Sequence, residues 1–123
     1  MNLLDFCDDE YINLITYRQD KSPVSTPVWL SQLGDSIVIT SSLNAGKVKR
    51  INNNGRATIY ITDQMGSSTL SDLVHVKASL IEDEETKQAA LDTIIKKYGA
   101  MSKMFIRGSN ENRSIIKIDE IVT

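Results

Sequence analysis

Apolar side chains recur at every second position in several short stretches of this chain, which is the pattern of half-buried β-strands. In "EYINLITYRQ", Ile12, Leu14 and Thr16 fall on one face, and Ile15 and Tyr17 fall on the other. The turn sequences "DKS" and "LGDS" separate this stretch from "PVSTPVWL" and "IVITSS". The pattern therefore predicts three short antiparallel strands joined by tight turns.

The alternation is interrupted twice, and each interruption predicts a helix. In "NAGKVKRINNN", Asn44 can cap a helix that has Val48 and Ile51 on one side and ends near Gly55. The stretch "EDEETKQAALDTIIKKYG" has acids in its first turn and lysines in its last, as the helix dipole favours. Its predicted buried stripe consists of Ala90, Leu91, Ile94, Ile95 and Tyr98.

Three more alternating stretches complete the pattern: "RATIYITD", "LVHVKASLI" and "RSIIKIDEIV". A short helix is also predicted at residues 3–9. Six short strands without a βαβ rhythm predict a mainly β fold, an antiparallel barrel with a short helix after strand 3 and a longer helix after strand 5. The 123 residues are enough for one core, so a single domain is expected over residues 1–123.

Composition narrows the classes of function. No apolar run approaches the roughly 18 residues of a membrane span, so no membrane partner is expected. The first residues lack the basic and apolar regions of a signal peptide, and the lone Cys7 fits a reducing compartment, so a cytoplasmic location is expected. A net charge of -2 and 6% aromatic residues argue against a barrel that binds single-stranded nucleic acid.

Side chains that act as catalysts are scarce in this sequence. His75 is the only histidine, so neither a Ser-His-Asp triad nor a histidine-containing metal cluster has support, and a surface or half-buried strand histidine is favoured. The acids of "EDEE" at residues 82–85 fit the first turn of a helix better than a carboxylate site. No Gly-rich phosphate-binding motif is present. If the protein is an enzyme, a bound cofactor must supply its reactivity.

The stretch "TSSLNAGKVKR" places a cation where the helix dipole disfavours it. Lys47 falls in the first turn of the predicted helix, where a positive charge costs about 0.3–1 kcal/mol. That placement is explained if an anion lies between Lys47, the N-terminus of the helix and nearby hydroxyl groups. The hydroxyl groups would come from Thr40, Ser41 and Ser42.

Helical spacing separates the basic residues of this stretch. Lys47 and Arg50 lie roughly 60° apart around the helix axis and can converge on one ligand. Lys49 lies about 160° from Lys47 and is expected to face solvent or another subunit. Spacing alone supports two interpretations about equally: an anion site and a solvated helix face.

Two prolines mark "SPVSTPVWL" as an unusual strand. Because proline cannot donate a ladder hydrogen bond, Pro27 indicates that part of this strand is not paired on both sides. Backbone groups of Thr26, Pro27 and Val28 would then be free to bond the polar edge of a flat heterocycle, with Trp29 beside them. An edge strand with a core tryptophan is the alternative, and the strand taken alone favours it.

The ordered set of these stretches resembles the pyridoxamine 5′-phosphate oxidase-like split-barrel flavoproteins. The series "PVSTPVW", "GKVKR" and "KYG" is similar to that of the small flavin- or deazaflavin-dependent oxidoreductases, and the resemblance runs from about residue 10 to residue 99. "NG" stands at residues 54–55 where the family usually has Asn-Pro. Residues 64–73 and 100–113 carry no usable family signature, so the substrate stays unidentified.

The resemblance implies a six-stranded split barrel that dimerises and holds its cofactor at the subunit interface. It implies that Lys47 binds the cofactor phosphate and that Lys49 and Arg50 occupy the adjacent basic positions. The remaining implied cofactor-binding residues are Thr40, Ser41 and Ser42 near the ribityl phosphate and Thr26, Pro27, Val28 and Trp29 along the isoalloxazine ring.

The function implied is that of a homodimeric, FMN-dependent oxidoreductase with a small-molecule redox substrate and no catalytic side chain. Three alternatives stay open: a reductase that uses the deazaflavin coenzyme F-420, a protein that stores or senses flavin, and a haem-binding relative. The acidic oligoglutamate tail of F-420 would favour a wider basic surface, and the net acidity of the chain therefore favours FMN.

Overall fold

The computed structural model describes residues 2–42, 46–99 and 113–121, and within them the strands form one antiparallel sheet. A 3₁₀ helix at Leu3–Asp8 precedes the first strand. The strands are β1 (Ile12–Tyr17), β2 (Pro23–Val28), β3 (Ser31–Leu33), β4 (Ser36–Ser42), β5 (Arg56–Ile61), β6 (Val74–Ile81) and β7 (Arg113–Glu120). Helix α1 (Gly46–Asn53) follows β4, and helix α2 (Glu84–Tyr98) follows β6.

The chain itself closes this sheet into a barrel. The strand order is β2-β1-β5-β6-β7-β4-β3, so β2 and β3 lie at the two edges of the sheet. These edge strands are consecutive in sequence and are separated only by Trp29 and Leu30. The sheet must therefore curl until its edges meet at this crossover, which gives the mainly β split barrel with helices that the sequence predicts.

The count of six strands was wrong by one, and the crossover is the reason. The stretch "PVSTPVWL" was predicted as one strand, but the chain changes its pairing partner within it. β2 pairs with β1, with Asn13 opposite Pro27, whereas β3 pairs with β4, with Ser31 opposite Val38. The alternation of side chains does not show a change of pairing partner. Because the stretch contains two strands, the two helices follow the fourth and sixth strands instead of the third and fifth.

Two apolar clusters fill the fold. The larger one lies inside the barrel and contains Phe6, Ile12, Leu14, Ile59 and Ile118 among others. The smaller one lies between α2 and the outer face of the sheet, where Val38 and Ile115 pack against the helix. Because β4 and β7 are covered on both faces, their sequences are apolar at consecutive positions.

Helix α2 matches its predicted ends and most of its predicted stripe. The Asp83 side chain accepts a hydrogen bond from the Thr86 N–H at 2.7 Å, and Gly99 adopts a φ of 61° just past the last turn. The buried apolar residues of the stripe are Ala90, Leu91, Ile94 and Tyr98, whereas Ile95 is only half-buried. In α1, Val48 and Ile51 are buried as predicted.

The last turn of α2 ties the N-terminal 3₁₀ helix to the β2–β3 crossover. The Lys97 ammonium donates hydrogen bonds to the carbonyl oxygens of Cys7, Asp9 and Leu30 at 2.9, 2.7 and 2.9 Å. The neighbouring Tyr98 hydroxyl contacts both backbone groups of Leu30. The crossover is therefore held by side chains of a helix nearly seventy residues further along the chain.

Candidate functional site

Three cations lie close together where α1 begins and β7 starts. Lys47 lies in the first turn of α1, and Arg113 is the first residue of β7, opposite Ser42 in the β4–β7 register. Burial lowers the pKa of Lys47, and the positive charges of Arg50 and Arg113 lower it further. Burial also lowers the pKa of Arg113. Lys47, Arg50 and Arg113 thus form a partly buried cationic cluster in which each arginine repels Lys47.

Hydroxyl groups from two strands orient the guanidinium groups of this cluster. The Nε of Arg50 donates to the Thr16 hydroxyl at 2.6 Å, and the Nε of Arg113 donates to the Thr40 hydroxyl at 3.1 Å. Gly46 allows Arg50 to pack against the first turn of α1, because a Cβ there would lie 2.8 Å from Nη1 of Arg50. Within residues 2–42, 46–99 and 113–121, the other N–H groups of these two guanidinium groups form no hydrogen bond, so they can donate to a ligand.

No carboxylate among the described residues neutralises the cationic cluster. The ion pairs within residues 2–42, 46–99 and 113–121 are Lys87 with Glu84 and Lys117 with Asp119. Clustered cations with oriented N–H donors are the groups that bind phosphate most strongly in proteins. The cluster therefore has the chemistry of an anion site.

The structure brings together part of the basic set that the sequence selected. Lys47 and Arg50 lie on the same side of α1, as their spacing predicts, and Lys49 is exposed on another side. Thr40 joins the cluster through Arg113, whereas Ser41 is buried. The side chain of Ser42 and the predicted cap Asn44 lie outside the described residues. The binding role of each of these residues stays a prediction.

Sequence reasoning missed Arg113 and Thr16 as members of this site. Thr16 was assigned only to a face of β1, and Arg113 only to the start of the last strand. The missing signal is long-range: β7 pairs with β4 across more than seventy residues, which places Arg113 next to the "TSS" end of β4. Assigning "RSIIKIDEIV" as the partner of "IVITSS" would have identified Arg113.

The hydrogen-bond register of β1 shows which backbone groups of β2 face outward. Just before β1, the Thr62 N–H donates to the Tyr11 carbonyl at 3.2 Å. In this register, every second residue from Tyr11 onwards, which in β1 means Asn13, Ile15 and Tyr17, points its backbone N–H and C=O groups towards β5. The residues between them form backbone hydrogen bonds with β2. Their partners in β2, whose backbone groups point towards β1, are Val24, Thr26 and Val28. The backbone groups of the other β2 residues point away from β1 and from the sheet, and these residues are Pro23, Ser25 and Pro27.

Both prolines thus lie where the missing N–H costs no ladder hydrogen bond, which confirms that this strand lies at an edge. The outward register restricts the backbone groups that were predicted to bind a heterocycle. Thr26 and Val28 direct their backbone groups towards β1, and the Val28 side chain is buried in the barrel. The carbonyl of Pro27 is the group of this trio that points away from the sheet.

Trp29 packs on α2, immediately after β2. Its ring stacks on the ring of Tyr98, with centroids 4.3 Å apart and an interplanar angle of 11°. Trp29 is half-buried at the edge of the smaller apolar cluster. One face of the indole is therefore used in packing, in agreement with the alternative of an edge strand and a core tryptophan.

A polar loop covers β2 next to Pro27. The buried Asn13 side chain donates to the Tyr60 hydroxyl at 2.7 Å and to the Gly66 carbonyl at 2.9 Å. Gly66 has a φ of 72°, and a Cβ there would lie 2.9 Å from Oδ1 of Asn13 and 3.2 Å from Cγ of Pro27. Glycine is required at this position both by the backbone conformation and by this close approach.

The Asp63 carboxylate organises this loop and makes its structure sensitive to acid. It accepts hydrogen bonds from the N–H groups of Met65 and Ser67 and from the hydroxyls of Ser67 and Ser68. These bonds lower the pKa of Asp63 to about 2, with the Ser68 hydroxyl contributing most. Because the folded pKa is depressed, the stabilisation is present above the unfolded pKa of about 3.9 and is lost as pH falls through about 2.

We therefore expect Asp63→Asn to lower the unfolding free energy near neutral pH and to have a diminishing effect between about pH 4 and pH 2. Chemical denaturation across this pH range would measure the difference, and an NMR titration of the carboxyl carbon would locate the pKa. Asp72→Asn is the control, because Asp72 is exposed in the same loop region. Its carboxylate accepts no hydrogen bond from the described residues, and the Ser71 hydroxyl bonds the Asp72 backbone carbonyl instead. A constant difference between wild type and Asp63→Asn down to pH 2 would contradict this account.

Metal and thiol chemistry receive no support from the described part of the chain. Residues 2–42, 46–99 and 113–121 contain no group of three or more His, Cys, Asp or Glu side chains arranged to hold a metal ion. Cys7 is half-buried, and burial raises the pKa of its thiol. Among the helices that the structure describes, none has the length and apolarity needed to cross a bilayer.

Residues 6–120 match the sequence model of a protein family described as pyridoxamine 5′-phosphate oxidase. Among curated proteins, the sequence finds no significant match. Solved structures give the fold independently. A haem storage protein of Vibrio cholerae superposes with a TM-score of 0.72 at 14% identity, covering 100% of this chain and 93% of the other.

Two further solved structures have the same fold. An F-420 reductase has a TM-score of 0.67 at 16% identity, with 97% of this chain and 93% of the other covered. General stress protein 26 of Bacillus anthracis has a TM-score of 0.65 at 21% identity, with 97% and 89% covered. At identities this low, the superpositions establish the shared barrel, and the names of these proteins indicate different roles.

Proposed function

Because this chain belongs to the pyridoxamine 5′-phosphate oxidase-like split-barrel family, we propose that it binds FMN and serves as a flavin-dependent oxidoreductase for a small-molecule substrate. The observation that carries the proposal is the cationic cluster of Lys47, Arg50 and Arg113, which no described carboxylate neutralises. A phosphate dianion would relieve the repulsion that Arg50 and Arg113 exert on Lys47, and it would accept hydrogen bonds from the N–H groups of the cluster. The residues present therefore fit the phosphate end of the cofactor.

The proposal assigns a distinct task to each part of the site. Lys47, Arg50 and Arg113 hold the phosphate, while Thr16 and Thr40 keep the two guanidinium groups in place. The outward carbonyl of Pro27 is the acceptor offered to the polar edge of the ring. When bound, the flavin supplies the redox chemistry, which agrees with the scarcity of catalytic side chains in the sequence.

We further propose that two copies of the chain form the working unit and that it works in the reducing cytoplasm. The dimer follows from the family resemblance, in which the cofactor lies between subunits. The half-buried free thiol of Cys7 is compatible with that compartment. Analytical ultracentrifugation with and without FMN tests the assembly, and a monomer that binds FMN at full stoichiometry would contradict the dimer.

The visible spectrum of protein purified without added cofactor tests the choice of cofactor. A flavin gives two visible bands, the deazaflavin gives a single band at shorter wavelength, and haem gives a Soret band. We expect the flavin spectrum, or its appearance on titration with FMN. A colourless protein that also fails to bind added FMN would refute the proposal.

Turnover separates an oxidoreductase from a protein that stores or senses flavin. The FMN-loaded protein should be assayed with reduced nicotinamide as donor and with a panel of quinone and other acceptors. We expect oxidation of the donor to depend on bound FMN. Tight FMN binding without turnover across a broad panel would favour storage or sensing instead.

A second candidate is a deazaflavin- or haem-binding protein, and particular observations favour each. The F-420 reductase among the solved neighbours supports the first. For the second, His75 is exposed on β6 and its Nδ1 contacts the Thr58 hydroxyl at 2.8 Å, which leaves Nε2 as the ring atom available to a ligand. The same spectrum decides among the three cofactors, and His75→Ala should abolish a Soret band if His75 is the ligand.

A further inference from the structure

A basic groove lies beside the cationic cluster, between the β1–β2 turn and the C-terminal half of α1. We call it the basic groove and define it by Arg18 and Lys21 on the turn and Lys49 and Arg50 on the helix. It encloses about 650 Å³. Its other lining residues carry amide or phenol groups: Tyr17, Gln19, Asn53 and Asn54. No lining residue among those described is acidic, although the chain as a whole has a net charge of -2.

The acidic residue nearest to the groove along the chain forms hydrogen bonds within its own turn. Asp20 lies in the same turn, but its carboxylate accepts hydrogen bonds from the N–H and the hydroxyl of Ser22 at 2.9 and 2.6 Å. These bonds, followed by the charge of Arg18, lower the pKa of Asp20. No ion pair involves a residue of the basic groove within residues 2–42, 46–99 and 113–121. Among the described residues, Asp20 therefore offsets part of the charge of Arg18, and Lys21, Lys49 and Arg50 have no ion-pair partner.

The backbone at Lys21 provides a second, independent observation. Lys21 has a φ of 70° and is the non-glycine residue with a positive φ among the described residues. The turn is closed by the Lys21 N–H bonding the Arg18 carbonyl at 2.8 Å and by the Arg18 N–H bonding the Ser22 carbonyl at 3.0 Å. Glycine or asparagine is favoured at this position of such a hairpin. A lysine here is disfavoured by the backbone, so its presence is explained if the side chain serves a purpose.

The basic groove is separate from the cationic cluster, although Arg50 borders both. Lys47 does not line the groove, and Lys49 lies about 160° from it around the axis of α1. The Arg50 side chain is fixed between the two by its bond to Thr16. A ligand in the groove would therefore lie across α1 from a phosphate held by Lys47.

An aromatic ring lies where the basic groove meets a neighbouring cavity of about 480 Å³ that Tyr17, Lys21 and His75 line. The Tyr17 hydroxyl bonds the Thr58 hydroxyl at 2.6 Å, and Thr58 in turn contacts Nδ1 of His75 at 2.8 Å. This chain of bonds holds the tyrosine ring in place. A fixed ring next to cations and side-chain amides suits a base attached to phosphates.

We propose that the basic groove binds a nucleoside diphosphate moiety, with its phosphates on Arg18, Lys21 and Lys49 and its base against Tyr17. Such a moiety occurs both in a free nucleotide and in one half of a dinucleotide. The proposal does not depend on the identity of the cofactor at the cationic cluster, because the two sites lie on different sides of α1.

Calorimetric titration of the full chain tests the proposal with three probes: ADP, NADH and inorganic pyrophosphate. We expect ADP or NADH to bind more tightly than pyrophosphate, and the tighter of the two identifies the source of the moiety. We expect ADP, which a flavin cannot oxidise, to bind also with FMN present at saturation. Pyrophosphate binding as tightly as both nucleotides, or displacement of the nucleotide by FMN, would overturn the proposal.

Lys21→Gly provides the sharpest variant, because affinity should fall without a loss of stability. Loss of one charged contact should weaken nucleotide binding roughly five- to tenfold. The melting temperature should stay the same or rise, because glycine relieves the backbone conformation. Lys96→Gln, an exposed lysine of α2, matches the loss of charge and should leave affinity unchanged. Unchanged affinity in Lys21→Gly, or an equal loss in Lys96→Gln, would overturn the proposal.

Discussion

Replacing Lys47 by alanine is expected to weaken the binding of FMN by about ten- to a hundredfold and to leave the binding of riboflavin nearly unchanged. A charge-assisted contact to a phosphate contributes roughly 1.5–3 kcal/mol, and riboflavin lacks the phosphate that makes it. Fluorescence titration of both ligands against wild type and Lys47→Ala gives the four dissociation constants of a double-mutant cycle. The coupling free energy of that cycle isolates the contact between lysine and phosphate.

The partial burial of Lys47 is the reason to expect an effect at the upper end of this range. Burial and two neighbouring positive charges lower its pKa, so a bound dianion would relieve a repulsion in addition to forming a bond. Lys47→Arg keeps the charge and should restore part of the affinity, and Lys96→Ala controls for the loss of a distant charge. An equal loss of affinity for FMN and riboflavin would show that Lys47 supports the fold of the site and does not bind the phosphate.

Local sequence patterns were sufficient to predict most of the fold. Alternation located the strands, and the acids of the first turn and the lysines of the last turn located α2. These local patterns could not show that the chain changes its pairing strand between β2 and β3. Residues 29 and 30 carry the chain from one edge of the sheet to the other, and the side-chain pattern continues across them without a break. Closure of the barrel is a property of long-range pairing, which periodicity does not encode.

The same distinction applies to the candidate site. Lys47 and Arg50 could be paired from helical spacing, because both lie within one turn of α1. Arg113 could not, since its place beside Thr40 depends on the pairing of β4 with β7. For β2, the sequence indicated an edge from Pro27, but the outward direction of that carbonyl required the register with β1. Residue types thus predicted the chemistry of the site, and topology determined which residues meet.

Replacing Tyr98 by phenylalanine is expected to lower the unfolding free energy by about 1–3 kcal/mol, a large part of the stability of a domain this size. The Tyr98 hydroxyl accepts the Leu30 N–H at 3.0 Å and directs its single proton towards the carbonyls of Glu10 and Leu30, at 2.7 and 3.0 Å. Because Leu30 is fully buried, its N–H would lose its acceptor without gaining water. Burial also raises the pKa of Tyr98 well above its usual value, so the hydroxyl stays protonated throughout the range of a denaturation experiment.

Chemical denaturation of Tyr98→Phe and of Tyr11→Phe would measure this contribution, because the Tyr11 hydroxyl has no hydrogen-bond partner within residues 2–42, 46–99 and 113–121. The phenylalanine ring can still stack on Trp29, so the difference reports the hydroxyl alone. The loss should also appear as weaker FMN binding if the ring lies along residues 26–29, because Tyr98 fixes the crossover that ends this segment. Equal stability of the two variants would mean that the crossover is held by Lys97 and apolar packing, and the barrel would then close without the Tyr98 hydroxyl.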